Sequence, residues 1–254
     1  MTAELSVARR PRSRFIAIFL YTLRSCVPPK RWAAVLMPCA GALLFGLLAR
    51  AVDDTRDVAF ANVAAEGILS LMMPIAALII GDAVLGAEVR AGTFQFTWLS
   101  PAPRWQIVIG RWLGGALVVV VTIAPATALA GVIAGSSSSV GPAFIAAAVG
   151  GVTYVALFIA IGCITQRTAV WSLAIVFLIE RLLGAALTGI AQISPTWESR
   201  AIFVGLLDDP PDRLVRNGIP QGGAAIVRLA IVTALSLAIA NWRLRHIKLS
   251  GASD

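Results

Sequence analysis

The residues best suited to chemistry lie in a compact polar segment, Gly86 to Trp112, between two long apolar runs. This segment carries Glu88, Arg90, Arg104 and Arg111 among aromatic and small residues. Carboxylate and guanidinium groups form ion pairs, and exposed aromatic rings can anchor a protein contact. The segment has no histidine or cysteine, and no base accompanies its serine and threonine, so it lacks a nucleophilic catalytic set. Two interpretations stay open, a contact with a partner and an ordinary solvated loop.

Two further charged residues, Glu180 and Arg181, interrupt a long apolar run. A charge in the hydrocarbon core costs ~2.5–3.5 kcal/mol on insertion scales, so neither residue is expected to face lipid. Adjacent helical residues point about 100° apart and cannot form an ideal pair with each other. We therefore expect at least one of them to reach another helix or a watery cavity. The pair fits a transport pathway or gate, and equally a buried polar clamp between helices or subunits.

The elements around these residues are predicted to be membrane helices. Hydrophobic residues make up 58% of the 254 positions and charged residues 13%, whereas soluble domains are about a quarter charged. A helix that crosses the hydrocarbon core needs ~20 mostly apolar residues. This length rule predicts an all-α fold with six transmembrane helices in a single domain over residues 1–254. The predicted spans are 32–52, 63–85, 107–134, 140–165, 170–193 and 224–242.

Two segments outside the predicted spans have their own pattern. Residues 10–27 place arginines on one helical face and apolar side chains on the other, which predicts a helix in the membrane interface that ends before Pro28 and Pro29. Residues 201–207 form an apolar run that is too short to cross a membrane. That run fits re-entrant helices between spans five and six, or a plain structured loop.

The distribution of Lys and Arg predicts the orientation of the chain. Fourteen of them fall at the termini, in the polar segment and at Arg167, while six fall on the opposite side together with eight acidic residues. Cytoplasmic loops carry the excess of Lys and Arg, so both termini and the polar segment are predicted to be cytoplasmic, at the cell membrane. The net charge of +8 then reflects this topology and contact with anionic lipid. No nucleic-acid-binding module is recognisable.

The sequence also bears on cofactors. The three cysteines match no metal-site spacing, and the chain has a single histidine. It lacks a Walker A sequence, so it is not expected to bind and hydrolyse ATP in the P-loop manner. We therefore expect a non-enzymatic chain that binds no cofactor itself.

The polar segment resembles a signature of the type-2 ATP-binding-cassette (ABC) exporter permeases. In that family the second span ends in an Asp and a Glu, followed by a Gly-Thr pair, a leucine-rich stretch and a Pro-x-x-Arg element before the next span. Six spans, an N-terminal interfacial helix and a basic tail extend the resemblance over nearly the whole chain. The matching residues here are Asp82, Gly86, Glu88, Gly92, Thr93, Leu99, Pro101, Arg104 and Gly110.

This resemblance implies a function and a set of partners. Residues 86–98 would form a coupling helix that docks onto a separate ATPase subunit. Two such ATPases would carry ATP and Mg²⁺, and a second permease subunit, identical or related, would complete the transporter. The expected function is export of an amphipathic or hydrophobic substrate, such as a drug, a lipid-like molecule or a peptide. The candidate coupling residues are Asp82, Glu88, Arg90, Gly92, Thr93, Phe94, Phe96 and Arg104.

Two rival functions remain open at this point. A secondary transporter or channel could use Glu180 and Arg181 for ion coupling, and it would transport under a proton gradient without an ATPase. A membrane scaffold that transports nothing would show no substrate-dependent stimulation of a partner ATPase.

Overall fold

The computed structural model describes residues 14–27, 32–52, 55–86, 103–165 and 167–246. Within these ranges the chain forms helices joined by turns and contains no strand, which confirms the all-α class. Six helices are long and apolar enough to cross a membrane, as predicted. We number them spans 1 to 6: Trp32–Ala51, Arg56–Val84, Arg104–Ala134, Val140–Ile164, Thr168–Ala186 and Gly223–Arg245.

Smaller helices lie at both ends of the spans. The N-terminal helix, Arg14–Cys26, packs beside the first half of span 3, where a side chain at Gly114 would contact Thr22. This helix occupies the segment predicted to lie in the membrane interface. We call its side of the molecule the near side. On the opposite, far side lie the short helix Thr188–Ala191, the helix Pro195–Gly205 and the 3-10 turn Asp212–Leu214. Pro195–Gly205 is called the far-side helix below.

The interior is built around spans 2 and 4, which are the most buried of the six. Span 4 packs against spans 2, 3 and 6 and against the far-side helix. Spans 1 and 3 approach to backbone contact, because a Cβ at Gly46 would lie 2.5 Å from the carbonyl oxygen of Ala130. Such small residues allow close packing between membrane helices. Spans 5 and 6 are mostly exposed in the single chain.

Prolines and wide turns interrupt the regular helices. Span 3 is divided at Thr122 into Arg104–Val121 and Ile123–Ala134. Pro125 explains the break, since its ring clashes with the carbonyl four residues earlier. Spans 2 and 5 contain π-helical stretches, which are wider than an α-helix and often mark functional sites. These stretches are Ala64–Met72, Asp82–Gly86 and Ile175–Leu183.

Span 5 is shorter than the prediction of 170–193. It ends at Ala186, and Leu187 has an extended backbone. Ser194 then begins the far-side helix, where its hydroxyl accepts a hydrogen bond from the Trp197 amide. Glu180, which falls near the middle of the predicted 170–193 span, therefore lies in the far half of the observed span 5.

Candidate functional site

The candidate coupling residues divide into a described and an undescribed group. Asp82 lies in the last π-helical turn of span 2, and Arg104 is the first residue of span 3. Asp82 precedes the polar segment and Arg104 lies within it, and the structure describes this segment only at residue 86 and over residues 103–112. The remaining candidates lie outside the described residues and stay predictions: Glu88, Arg90, Gly92, Thr93, Phe94 and Phe96.

Arg104 connects the start of span 3 to the end of span 6. Its side chain is exposed, and its Nη1 donates a hydrogen bond to the carbonyl oxygen of Arg245 over 3.4 Å. The bond is long, so we assign it a modest energy. It nevertheless places the beginning of span 3 beside the near-side end of span 6.

Arg111 forms the firmest connection at the base of the polar segment. Its side chain is only 2% exposed, and its Nη1 donates to the carbonyl oxygen of Val84 over 2.6 Å. Val84 lies at the end of span 2, where helix carbonyls lack partners and carry partial negative charge. The N-terminal helix and span 4 also pack against this end of span 2. Arg111 therefore lies where the N-terminal helix and spans 2, 3 and 4 meet.

Sequence reasoning treated Arg111 only as one charge among several in the polar segment. The available signal was its position, since the predicted span 3 already began at residue 107. A charge inside a predicted span is a candidate for a buried contact. The next residue, Trp112, is half-buried, and its Nε1 donates to the carbonyl oxygen of Val152 over 3.2 Å. Both neighbours thus tie span 3 to other spans.

On the far side, Glu180 lies at the centre of a buried polar cluster. Its side chain is 3% exposed, and Oε2 accepts hydrogen bonds from the Tyr154 hydroxyl, the Ser194 hydroxyl at 2.7 Å and the Thr196 amide at 3.3 Å. The Trp197 Nε1 donates to the backbone carbonyl of Glu180 over 3.0 Å. This carboxylate therefore joins spans 4 and 5 to the far-side helix. The contacts are those of a buried polar clamp, and a role in transport stays a prediction.

Arg181 has the opposite environment. Its side chain is exposed on the surface of span 5 in the single chain. We expected neither charge of the pair to face lipid, so the position of Arg181 departs from that expectation. The physical reason is the shorter span 5, which brings Arg181 within five residues of the helix end at Ala186. A long arginine side chain at that depth can extend toward the headgroups.

The far-side helix is tied to two further spans by ion pairs. Arg200 pairs with Glu66 of span 2. Glu198, whose side chain is fully buried, lies with Oε1 3.5 Å from Nη1 of Arg228 in span 6. Sequence reasoning counted these charges only toward the orientation of the chain. Glu198 and Arg200 lie two residues apart after Pro195, and side chains at that spacing do not share a helix face. This spacing was the signal that could have placed them against different spans.

Glu198 predicts a pH-dependent stability. Burial raises the pKa of its carboxyl group to about 7, and the positive charge of Arg228 only partly offsets this. The folded chain therefore binds more protons than the unfolded chain between pH ~4.5 and ~7, so stability falls as pH rises through this window. We expect Glu198→Gln to reduce the difference in unfolding free energy between pH 5 and pH 8 by about 1–3 kcal/mol.

The measurement is thermal unfolding of the purified chain at several pH values. Asp209→Asn is the matched control, because it removes an exposed loop carboxylate outside the far-side helix. An unchanged pH dependence in Glu198→Gln would show that another group controls the stability in this range.

An apolar groove opens between spans 3, 4 and 6. Its volume is about 560 Å³, and its lining is almost wholly apolar, including Trp112, Val149 and Ala230. A polar contact crosses it, since the Thr233 hydroxyl donates to the Thr153 hydroxyl over 3.0 Å. The groove is large enough to take an amphipathic molecule or part of one.

Comparison with known protein families identifies the chain. A family model described as "ABC-2 family transporter protein" matches residues 8–204, which is most of the sequence. The chain belongs to this ABC-2 family. It is thus a multi-pass membrane protein and a membrane subunit of an ABC transporter, whose partners are ABC ATPase subunits on separate chains. No curated protein matches the sequence significantly.

The family match covers most of the candidate residues described above. It includes the polar segment, Arg111, Glu180 and the far-side helix as far as Val204. Residues 205–254 lie beyond the matched range, and they include span 6, Arg216 and Arg228.

Proposed function

We propose that this ABC-2 subunit is the permease of an exporter, and that its polar segment docks onto an ATPase carried by another chain. The observation that carries the proposal is the family match, which includes the polar segment and five of the six spans. ATP and Mg²⁺ would be bound by two ATPase subunits. A second permease subunit, identical or related, would complete the transporter.

The geometry at the base of the polar segment supports a coupling role. The bond from Arg111, near the end of the polar segment, to Val84, just before its start, holds span 3 against the end of span 2. A displacement of a docked segment would therefore move both spans together, with little slack between them. Glu88 and Arg90 would pair with charges on the ATPase, and Phe94 and Phe96 would supply apolar anchors.

The orientation follows from this assignment. The near side would face the cytoplasm, which contains the ATPase, and the chain would lie in the cytoplasmic membrane of a bacterium with both termini inside. The substrate would be amphipathic or hydrophobic, such as a drug, a lipid-like molecule or a peptide. The apolar groove of about 560 Å³ beside spans 3, 4 and 6 supports that class of substrate.

Charge reversal of Glu88 tests the docking. We expect Glu88→Arg to lower the amount of ATPase that co-purifies with the chain by about tenfold or more, since a lost ion pair and a new repulsion at a protein interface together cost several kcal/mol. The measurement is quantitative affinity purification of the chain from its native membrane. Arg167→Glu is the matched control, because Arg167 is an exposed near-side residue between spans 4 and 5.

Two outcomes would contradict the proposal. Equal ATPase recovery with Glu88→Arg would exclude a direct contact at this position. Transport by the purified chain alone, driven by a proton gradient, would favour the secondary transporter.

A further inference from the structure

Two arginines from different elements meet over one tryptophan ring near the far end of span 5, and a third arginine lies on span 5 itself. Arg181 belongs to span 5, Arg200 to the far-side helix and Arg216 to the loop that follows it. The guanidinium carbons of Arg200 and Arg216 lie 4.5 Å and 4.3 Å from the centroid of the Trp197 ring. The charges of Arg181 and Arg216 both act on Arg200. We call these three residues the far-side arginine cluster.

The cluster carries more positive than negative charge. Arg200 pairs with Glu66, and among the described residues no carboxylate pairs with Arg181 or Arg216. Arg216 instead donates to the carbonyl oxygens of Gly184 and Ala185, at 2.8 and 3.0 Å. In the part of the chain that the structure describes, the three guanidinium groups thus have one carboxylate partner, which pairs with Arg200. Burial lowers the pKa of Arg200, the carboxylate of Glu66 raises it in part, and the charges of the two neighbouring arginines lower it again.

Two of the three arginines are held in place before any ligand binds, Arg200 by its pair with Glu66 and Arg216 by its bonds to span 5. Trp197 is anchored by the bond from its Nε1 to the carbonyl of Glu180, and Arg216 is fixed by its two bonds to the end of span 5. Guanidinium groups in fixed positions lose little conformational freedom on binding. The site is thus preorganised, and its unmatched charge favours an anion.

The position of Arg181 indicates where that anion lies. Five residues separate it from the end of span 5, which corresponds to about 7–8 Å along a helix. An arginine exposed at this depth extends to the level of the headgroups. Guanidinium forks match the oxygen atoms of a phosphate, which forms short charge-assisted hydrogen bonds with them.

We propose that the far-side arginine cluster binds a phosphate group at the far face of the membrane. The phosphate belongs either to the headgroup of an anionic lipid or to a soluble phosphate ester. Neither the family nor the export function requires such a site, so this inference goes beyond both. Its failure would leave the docking experiment on Glu88 unaffected.

The test uses the full chain, purified in detergent and analysed by native mass spectrometry. Phosphatidylglycerol and phosphatidylcholine are titrated separately, and sn-glycerol 3-phosphate serves as the soluble probe. We expect Arg181→Gln to weaken binding of one anionic probe about tenfold, which corresponds to the loss of one charge-assisted hydrogen bond. Arg213→Gln is the matched control, since Arg213 is an exposed far-side arginine outside the cluster.

Further variants keep the result interpretable. Arg181→Lys preserves the charge but not the fork, so its binding should lie between wild type and Arg181→Gln. Arg216→Gln tests the same site from the loop. Thermal unfolding of each variant identifies any loss of binding that comes from misfolding. If Arg181→Gln is unfolded, the comparison of Arg181→Lys with Arg213→Lys shows whether the guanidinium group of Arg181 contributes to phosphate binding.

Each outcome has a defined meaning. Weaker binding of phosphatidylglycerol in Arg181→Gln assigns the site to a lipid headgroup, and weaker binding of sn-glycerol 3-phosphate alone assigns it to a soluble ester. Equal affinity for both lipids together with no response to the soluble probe would overturn the proposal. A loss of dimer in Arg181→Gln with unchanged lipid binding would also overturn it, and would assign Arg181 to a contact between subunits.

Discussion

Arg111→Met is expected to lower the unfolding free energy by about 1–3 kcal/mol and to uncouple the chain from its ATPase. The substitution keeps a long apolar side chain but leaves the carbonyl oxygen of Val84 buried without its charged donor. For a protein of this size the loss corresponds to a decrease of about 3–10 °C in the melting temperature. The second effect rests on the proposed function, because span 3 would no longer be held against span 2 below the docking segment.

The two effects need separate measurements. Thermal unfolding of the purified chain reports stability, and substrate-stimulated ATP hydrolysis in the reconstituted transporter reports coupling. We expect the stimulation to fall at least about fivefold, within the usual range of coupling free energies. Arg111→Lys keeps the charge and should retain part of both properties.

Arg24→Met is the matched control, because Arg24 is an exposed arginine of the N-terminal helix. Full stimulation in Arg111→Met at a reduced melting temperature would restrict Arg111 to a structural role. An unchanged melting temperature would show that Val84 finds another donor.

The fold of this chain could be predicted from its sequence because the hydrophobicity that favours a membrane helix is a property of each segment by itself. Each span is long and apolar enough to be recognised by its own residues, without knowledge of its neighbours. All six spans were found in this way. Their ends depend on contacts with other parts of the chain, and here the prediction was less accurate. The end of span 5 is set by the far-side helix, whose capping residue Ser194 donates a hydrogen bond to Glu180.

The candidate sites were predictable only in part, for the same reason. The rule that a membrane-embedded charge needs a partner predicted that at least one of Glu180 and Arg181 reaches another helix or a cavity. Glu180 does so, but the rule could not name Tyr154, which lies 26 residues earlier in span 4. That pairing requires the packing of spans 4 and 5, which no local pattern encodes. The role of Arg111 was missed because its partner is a backbone carbonyl. Every residue carries such a group, so no sequence pattern indicates which one is the partner. The arginine cluster likewise depends on a loop that folds back over span 5.

Glu180→Ala is expected to have the largest effect on stability of any substitution considered for this chain. It leaves three buried donors without their acceptor: the hydroxyls of Tyr154 and Ser194 and the amide of Thr196. Each unsatisfied group costs about 1–3 kcal/mol, and partial rearrangement of Ser194 or entry of water would offset some of this. We expect a loss of about 2–4 kcal/mol, seen as a melting temperature lower by about 5–15 °C.

Further variants separate the effect of losing the hydrogen-bond acceptor at Glu180 from the effect of losing its negative charge. Glu180→Gln keeps an oxygen acceptor for the three donors, so it should retain most of the stability. Glu66→Ala removes a carboxylate whose side chain is 55% exposed in its pair with Arg200, and it should cost about 1 kcal/mol or less. Tyr154→Phe combined with Glu180→Ala forms a double-mutant cycle, in which a coupling of about 0.5–3 kcal/mol measures the contact between the two side chains.

The comparison of Glu180→Gln with Glu180→Ala also decides between the two interpretations of this residue. A clamp needs only the acceptor, so Glu180→Gln would transport normally while Glu180→Ala would be unstable. A residue that carries a proton or binds a cation needs the charge, and Glu180→Gln would then be stable but inactive. Because Tyr154, Ser194 and Thr196 all bond to the same oxygen of Glu180, which a glutamine also provides, we expect the first result.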